Sequence, residues 1–305
     1  MLTLVKPDWN THTSQLSGRE GCMPARTVIT ARQERLGAEL RKLRERAGWS
    51  IRQASEATGI AQTKISMTEA GRVGVSEERV RFLGSQYACG DAAFVDALVA
   101  MANERGRGWW EEYRGLVPSG YLDMAELEHH AASLRAFESV SIPGLLQTEE
   151  QIRAMFAVST PQLSDDEIAA RVRFRRRRQE FLVGERPARY DVVIHEAALR
   201  IKAGDSSVAR RQLRHVLEQS ELPQVTLRVV PFAAEDFAGL CFPMLYAGGP
   251  VPQLDTVLMD SPQGGSFVGA EAQLIRHRAL LDEVEKAALG TVESREFIQR
   301  LVHSM

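Results

Sequence analysis

The stretch GWSIRQASEATGIAQTKISMTEAG, residues 48–71, decides the fold of the first third of the chain. Ser50 followed three positions later by Gln53 is a capping box, which predicts the start of a helix. Gly59 can take the left-handed conformation that ends this helix, and Ile60 can fill the space beneath the turn. Two short helices joined by a tight turn are typical of a helix-turn-helix DNA-binding unit.

The second of these helices is expected to present polar side chains to DNA. The N-terminal end of such a helix meets the base edges in the major groove. Gln suits adenine, Lys suits guanine or a phosphate, and Thr can reach either a base or a phosphate. The predicted DNA contacts come from both helices and the segment that follows them, and they are Arg52, Gln62, Thr63, Lys64, Ser66 and Arg72.

Apolar residues at helical spacing surround this unit. They predict one helix upstream, over residues 36–47, and two helices downstream, over residues 80–87 and 94–101. Another face of the upstream helix is predicted to be basic, with Arg41, Lys42, Arg44 and Arg46. The segment of residues 26–90 holds 12 basic and 7 acidic residues, although the whole chain has a net charge of −2. This local excess favours attraction to phosphates.

The predicted five-helix unit resembles the Cro/lambda-repressor (XRE) type of helix-turn-helix domain. The resemblance covers residues 32–104, and the run Ile65-Ser66-x-x-Glu69-x-Gly71 is similar to the family signature at the end of the recognition helix. Ile51 stands where the family usually has a phosphate-contacting Gln, so the resemblance implies no such contact here. Residues 1–31 are expected to be a flexible N-terminal extension, with Met23 as an alternative start.

A second string, IPGLLQT at residues 142–148, resembles a hallmark of a wider group. The group consists of actinobacterial XRE regulators with a large C-terminal domain, WhiJ-like and antitoxin-like. Further similarities are the paired residues Trp109 and Trp110, the string YDVVIHEAAL at residues 190–199 and the strand VTLRVVPF. The resemblance implies a small protein partner, encoded beside the regulator.

Residues 105–305 are predicted to form an α/β or α+β domain with a mixed sheet, so that the protein is multidomain. Loops of hairpin length at residues 232–239 and 248–254 favour some antiparallel pairing. Strands are expected at residues 190–195, 225–231, 240–247 and 255–260, and helices at residues 165–182, 206–220, 270–287 and 292–302.

Two groups of side chains in this domain leave alternatives open. An arginine run can be a solvated helix face, a second DNA contact or a dock for an acidic partner through Arg173, Arg176 and Arg177. Aromatic residues can pack at the domain junction or line a ligand pocket, and the residues concerned are Trp109, Trp110, Phe237 and Phe242.

Catalytic and cofactor motifs are not recognised in the sequence. His195-Glu196 resembles the start of a zinc-protease helix, but Leu199 occupies the place of the second His. His129 and His130, near Glu126 and Glu128, are interpreted as an exposed polar helix face rather than a metal site. We therefore expect neither an enzyme nor a cofactor or metal.

The expected compartment is the cytoplasm. Cys22, Cys89 and Cys241 are isolated in sequence, and no apolar run reaches the length of a membrane span.

The leading hypothesis is a homodimeric transcriptional regulator that binds a palindromic operator in double-stranded DNA. Its C-terminal domain is expected to bind the small neighbouring protein, which modulates DNA binding. The alternative is a repressor with a small-molecule pocket in that domain.

Overall fold

A computed structural model describes residues 29–104, 108–159, 161–184, 187–235, 237, 242–259 and 265–305. The predicted N-terminal extension, residues 1–31, lies almost entirely outside these ranges, as do Cys22 and Cys241. Within the described part, no helix combines the length and the apolar character of a membrane span.

Five helices form the first folded unit and confirm the predicted helix-turn-helix architecture. They are α1 (Ala31–Arg46), α2 (Ile51–Thr58), α3 (Gln62–Glu69), α4 (Glu77–Gln86) and α5 (Ala92–Asn103). Their apolar faces meet in one core that includes Leu40, Ile65, Val80 and Leu98. Each of these side chains is at most 5% exposed.

The turn between α2 and α3 forms as its residues predict. The Ser50 hydroxyl accepts the Gln53 N–H at 3.2 Å, while the Gln53 side chain accepts the Ser50 N–H at 2.8 Å. Gly59 has a φ of 70°, and Ile60 is buried beneath the turn. Ala61 precedes α3 and supplies no side-chain cap, so the start of this helix depends on packing.

The second folded unit contains seven α-helices in its described part. They are α6 (Ser119–His130), α7 (Glu149–Ala157), α8 (Asp165–Val183), α9 (Glu196–Arg200), α10 (Ser206–Gln219), α11 (Glu271–Ala287) and α12 (Thr291–Ser304).

Six described strands accompany these helices. They are β1 (Ser133–Glu138), β2 (Arg189–His195), β3 (Val225–Val230), β4 (Met244–Gly248), β5 (Thr256–Met259) and β6 (Ser266–Val268). The strand order is β3-β2-β1-β4-β5-β6. The strands β1, β2 and β3 are parallel, whereas β4, β5 and β6 add antiparallel pairs. The predicted mixed sheet is therefore confirmed.

The predicted antiparallel pairing is confirmed, but only one of the two loops of hairpin length joins paired strands. The loop at residues 248–254 joins β4 to β5, which pair antiparallel. The loop at residues 232–239 instead joins strands that do not pair with each other, because β3 pairs with β2 and β4 pairs with β1 and β5. The chain therefore crosses two strands between β3 and β4.

Both faces of the sheet are covered by helices. On one face, Leu134 and Val192 pack with Leu182, Leu213 and Ile298 from α8, α10 and α12. On the other face, strand residues pack against α11, whose buried side chains include Leu274 and Leu281. Because both faces of β2 are buried, the strand is apolar along most of its length.

The IPGLLQT string forms a buried turn before α7. The buried Gln212 of α10 donates to the Leu146 carbonyl at 2.6 Å and accepts the Thr148 N–H at 2.7 Å. Gln147 donates to the Ile142 carbonyl at 2.6 Å, which closes the turn. These hydrogen bonds satisfy backbone groups that burial would otherwise leave unpaired. In the structure, this string therefore links β1 to α7 and is tied to α10.

Candidate nucleic-acid interface

The helix α3 lies close against α1 because Gly37 has no side chain. A Cβ at position 37 would lie 2.5 Å from the Glu69 carbonyl oxygen and 2.7 Å from that of Thr68. Such distances are shorter than any ordinary contact, so Gly37 sets the spacing between α1 and the last turn of α3.

A buried ion pair fixes the same end of α3. Arg44 donates from Nε to Glu69 Oε1 at 2.6 Å and from Nη2 to Oε2 at 2.9 Å. Its Nη1 donates to the Trp49 carbonyl at 2.7 Å. The hydrogen bond with Glu69 raises the pKa of Arg44 above its ordinary value. One charged side chain therefore joins α1, the segment before α2, and α3.

The predicted reading residues lie on the outer side of this anchored helix. Gln62, Thr63 and Ser66 are exposed, and Lys64 is half-buried, while Ile65 points into the core. Three polar side chains in the first two turns can therefore reach base edges without unfolding the helix.

Two predicted arginine contacts flank the helix. Arg52, on α2, is exposed and forms an ion pair with Glu56 at 3.1 Å. Arg72 follows α3 and is also exposed. Arg79, on α4, is a further basic side chain that the sequence does not single out, and it lines the same surface groove as Lys64. Basic side chains at these positions can contact DNA phosphates on either side of the major groove.

The predicted basic face of α1 is wrong in its details. Arg44 is buried with Glu69 instead of facing outward. Lys42 donates to the Gly269 carbonyl at 3.1 Å, and Arg46 pairs with Glu271 at 3.1 Å. The spacing of four positions between Leu40 and Arg44 could have placed Arg44 in the buried stripe.

The four aromatic residues of the predicted ligand pocket lie in different places. Trp109 and Trp110 pack with Phe174. Phe237 stacks on His195 at 5.4 Å, against the sheet. Phe242 is 72% exposed. The tryptophans pack inside the second unit, at its start, and one common pocket of the four residues does not form.

The arginine run of α8 has both buried and exposed members. Arg178 is buried and pairs with the buried Glu128 of α6 at 2.5 and 2.8 Å. The three predicted partner contacts are exposed, namely Arg173, Arg176 and Arg177, and Arg177 pairs with Glu180. The run is therefore partly a structural tie and partly an exposed basic surface.

The interpretation of residues 126–130 as an exposed polar face is also wrong for part of the helix. Glu128 is buried with Arg178, and only His129 of the two histidines is exposed. His130 lies 3.4 Å from Glu104, and burial lowers the pKa of His130 to about 4. In the described ranges, no group of three or more His, Cys, Asp and Glu side chains is arranged to hold a metal ion.

His195 and Glu196 have structural contacts. The His195 Nδ1 accepts the Ala197 N–H at 3.2 Å and caps α9. Glu196 pairs with Arg200 at 2.6 Å and accepts the Phe232 N–H at 2.7 Å. These contacts hold the end of β2 and the start of α9 to the segment after β3.

Two family models match the chain. One, described as a helix-turn-helix domain, covers residues 35–97. The other, described as a domain of unknown function (DUF5753), covers residues 121–300. Comparison with curated proteins and with solved structures gave no match.

Proposed function

The chain belongs to the family of the domain of unknown function DUF5753 and carries a helix-turn-helix domain, and from this premise we propose that it is a sequence-specific transcriptional regulator rather than an enzyme. The observation that carries the proposal is the outer face of α3. Gln62, Thr63 and Ser66 are exposed on a helix that Gly37 and the Arg44–Glu69 pair hold in place. A rigid helix with exposed polar side chains is what base readout requires.

The regulator acts as a homodimer on a palindromic operator. One recognition helix reads only a few base pairs, so specificity needs two half-sites about 34 Å apart. The local excess of basic residues in the first unit supports attraction to the phosphate backbone of the DNA at these half-sites.

The C-terminal domain binds a small protein encoded beside the regulator, as implied for the WhiJ-like, antitoxin-like regulators that the sequence resembles. The exposed side chains of Arg173 and Arg176 on α8 support an acidic partner. Co-purification with the wild-type chain, and its loss in the Arg173→Glu/Arg176→Glu variant, tests this step. The Arg276→Glu/Arg300→Glu variant changes the same charge at exposed sites on α11 and α12 and should retain the partner.

Selection from random DNA duplexes tests the DNA-binding function. The full chain is expected to enrich one palindromic sequence, with two protected half-sites in a footprint. Enrichment of no sequence above the starting pool would contradict the proposal, since nonspecific binding to phosphates gives no sequence preference.

A further inference from the structure

A cavity of about 660 Å³ lies between the two folded units. The helix α1 contributes one wall, with Ala38 and Lys42, and α6 contributes another, with Leu127 and His130. The end of β4 and the strand β6 close the remaining side, where Phe267 lies. The volume falls within the range of small-molecule sites, about 300–1,000 Å³.

The cations around this cavity are already paired. Arg32 pairs with Glu104 at 2.6 Å. Arg35 pairs with Glu39 at 2.8 Å, and Lys42 pairs with the same carboxylate at 2.8 Å. An anionic ligand would have to compete with these carboxylates. The arrangement therefore disfavours an anionic ligand.

Three polar groups remain in position to orient such a ligand. The Asp123 carboxylate accepts one hydrogen bond, from the Ala31 N–H at 3.1 Å, through Oδ1. His130 and the side chain of Gln273 also line the cavity. Burial and the nearby Arg32 keep the pKa of His130 low, so that its imidazole is neutral. These groups suit hydroxyl or amide functions on an otherwise apolar molecule.

The cavity is also lined by a loop of the second unit that packs into the core of the first. This β4–β5 connection consists of residues 249–255. Its Leu254 is buried in the core of the helix-turn-helix unit and lines the cavity as well. The next residue, Asp255, is anchored on the sheet by the Tyr246 hydroxyl at 2.6 Å and by Arg278 at 3.0 Å.

We propose that this cavity binds an uncharged, largely apolar organic molecule with hydroxyl or amide groups, and that its occupancy changes the affinity of the regulator for DNA. Two sites that share one packed segment are energetically coupled when the ligand favours one arrangement of that segment. The coupling rests on the DNA-binding function proposed above, whereas ligand binding itself does not.

Binding of the uncharged dye Nile red to the full-length protein tests the site. We expect saturable binding with one dye per chain. The Ala38→Trp variant fills the cavity from α1 and should weaken binding about tenfold or more. The Ala100→Trp variant makes the same change at an exposed position of α5 and should bind as the wild type does.

Thermal unfolding of both variants shows whether each remains folded. Should the Ala38→Trp variant fail to fold, Ala131→Phe fills the same cavity from the end of α6. The site is overturned if Nile red does not saturate on the wild type, or if a folded cavity-filled variant binds it equally well.

Titration of Nile red in the presence of the selected operator duplex tests the coupling. The dissociation constant of the dye should change by about fivefold or more, and the dye should change the affinity for DNA by the same factor. An unchanged constant overturns the coupling. A wild type that binds Nile red in the cavity but selects no DNA sequence would instead overturn the DNA-binding function and leave the site intact.

Discussion

At the scale of single residues, a buried ion pair and a half-buried histidine determine how the protein responds to substitution and to pH. Arg44 and Glu69 form a tie inside the helix-turn-helix unit, and His130 lies where the two units meet. A buried charge that loses its partner costs far more than the intact pair contributes.

Arg44→Ala is expected to lower the free energy of unfolding by about 3–5 kcal/mol. It leaves the Glu69 carboxylate buried with a weaker partner, Arg41, at 3.4 Å. Urea unfolding measures the change. The double variant Arg44→Met/Glu69→Leu removes both charges and should recover most of the stability. Equal losses in the single and double variants would show that the lost stability does not come from the unpaired charge.

His130→Gln is expected to reduce the loss of stability in mild acid. Burial lowers the pKa of His130 in the folded protein to about 4, so the unfolded chain binds its proton first as the pH falls. Stability is therefore retained above the unfolded pKa and is lost as the pH falls from about 6.5 towards 4.

Between pH 6 and pH 5, the free energy of unfolding of the wild type should fall by up to about 1.4 kcal/mol per pH unit more than that of the variant. Burial raises the pKa values of Asp123 and Glu126, which act in the opposite direction. Both groups remain in the variant, so their effect cancels in the comparison. Arg32 and Glu104, which face His130, also remain. If plots of unfolding free energy against pH ran parallel for the two proteins, they would contradict the lowered pKa of His130.

At the scale of elements, the position of α3 depends on one close approach. The distance between α1 and the last turn of α3 allows no Cβ at Gly37. A displacement of α3 would move Gln62 and Lys64 away from the base edges that they are expected to read.

Gly37→Ala is expected to destabilise the protein by about 1–3 kcal/mol and to weaken operator binding, because α3 must move outward. Gly90→Ala is the matched control, since a Cβ there meets nothing within 4 Å. Urea unfolding and a DNA titration measure the two effects. A Gly37→Ala protein with wild-type stability would show that the two helices are not in tight contact.

Local signals in the sequence predicted most elements of the fold but not their partners in space. The Ser50 capping box and Gly59 identify the turn, because each residue acts within a few positions of itself. The pairing of β4 with β1 depends on residues more than a hundred positions apart, so the length of the loop at residues 232–239 does not identify which strands pair. The same limit applies to Glu128, whose buried partner Arg178 lies on another helix.

The sequence predicts the candidate site only in part, because local signals do not identify partners that are distant along the chain. Gln62, Thr63 and Ser66 are exposed as the helical spacing indicates. The sequence predicts Arg44, which holds the helix, as a surface charge, because its partner Glu69 lies on another helix, α3. The cavity between the units has no local signature, since its walls come from distant segments.

At the scale of the whole molecule, the two units share hydrophobic packing. Leu254 from the second unit is 8% exposed and belongs to the core of the first. Arg35 donates to the Gln253 carbonyl at 2.7 Å, and Gln253 donates to Asp91 at 2.9 Å. The second unit therefore stabilises the DNA-binding unit directly.

Leu254→Ala is expected to cost about 2–4 kcal/mol, because it opens a cavity in a shared core. The loss should appear as faster amide hydrogen exchange in α1 and α5. The control is Leu116→Ala, which truncates an exposed leucine of the second unit. Unchanged exchange in α1 and α5 would mean that the core of the first unit is stable without Leu254.

The central claim is that α3 reads DNA sequence, and the most direct measurement is the affinity of the Gln62→Ala/Lys64→Ala variant for the selected operator and for a scrambled duplex. The control variant, Lys202→Ala/Gln299→Ala, removes the same two side-chain types at exposed positions of the second unit. Wild type and control are expected to bind the operator about a thousandfold more tightly than the scrambled duplex. The α3 variant, still folded by circular dichroism, should bind both duplexes with similar affinity. A folded α3 variant that retains the wild-type preference for the operator would contradict the claim.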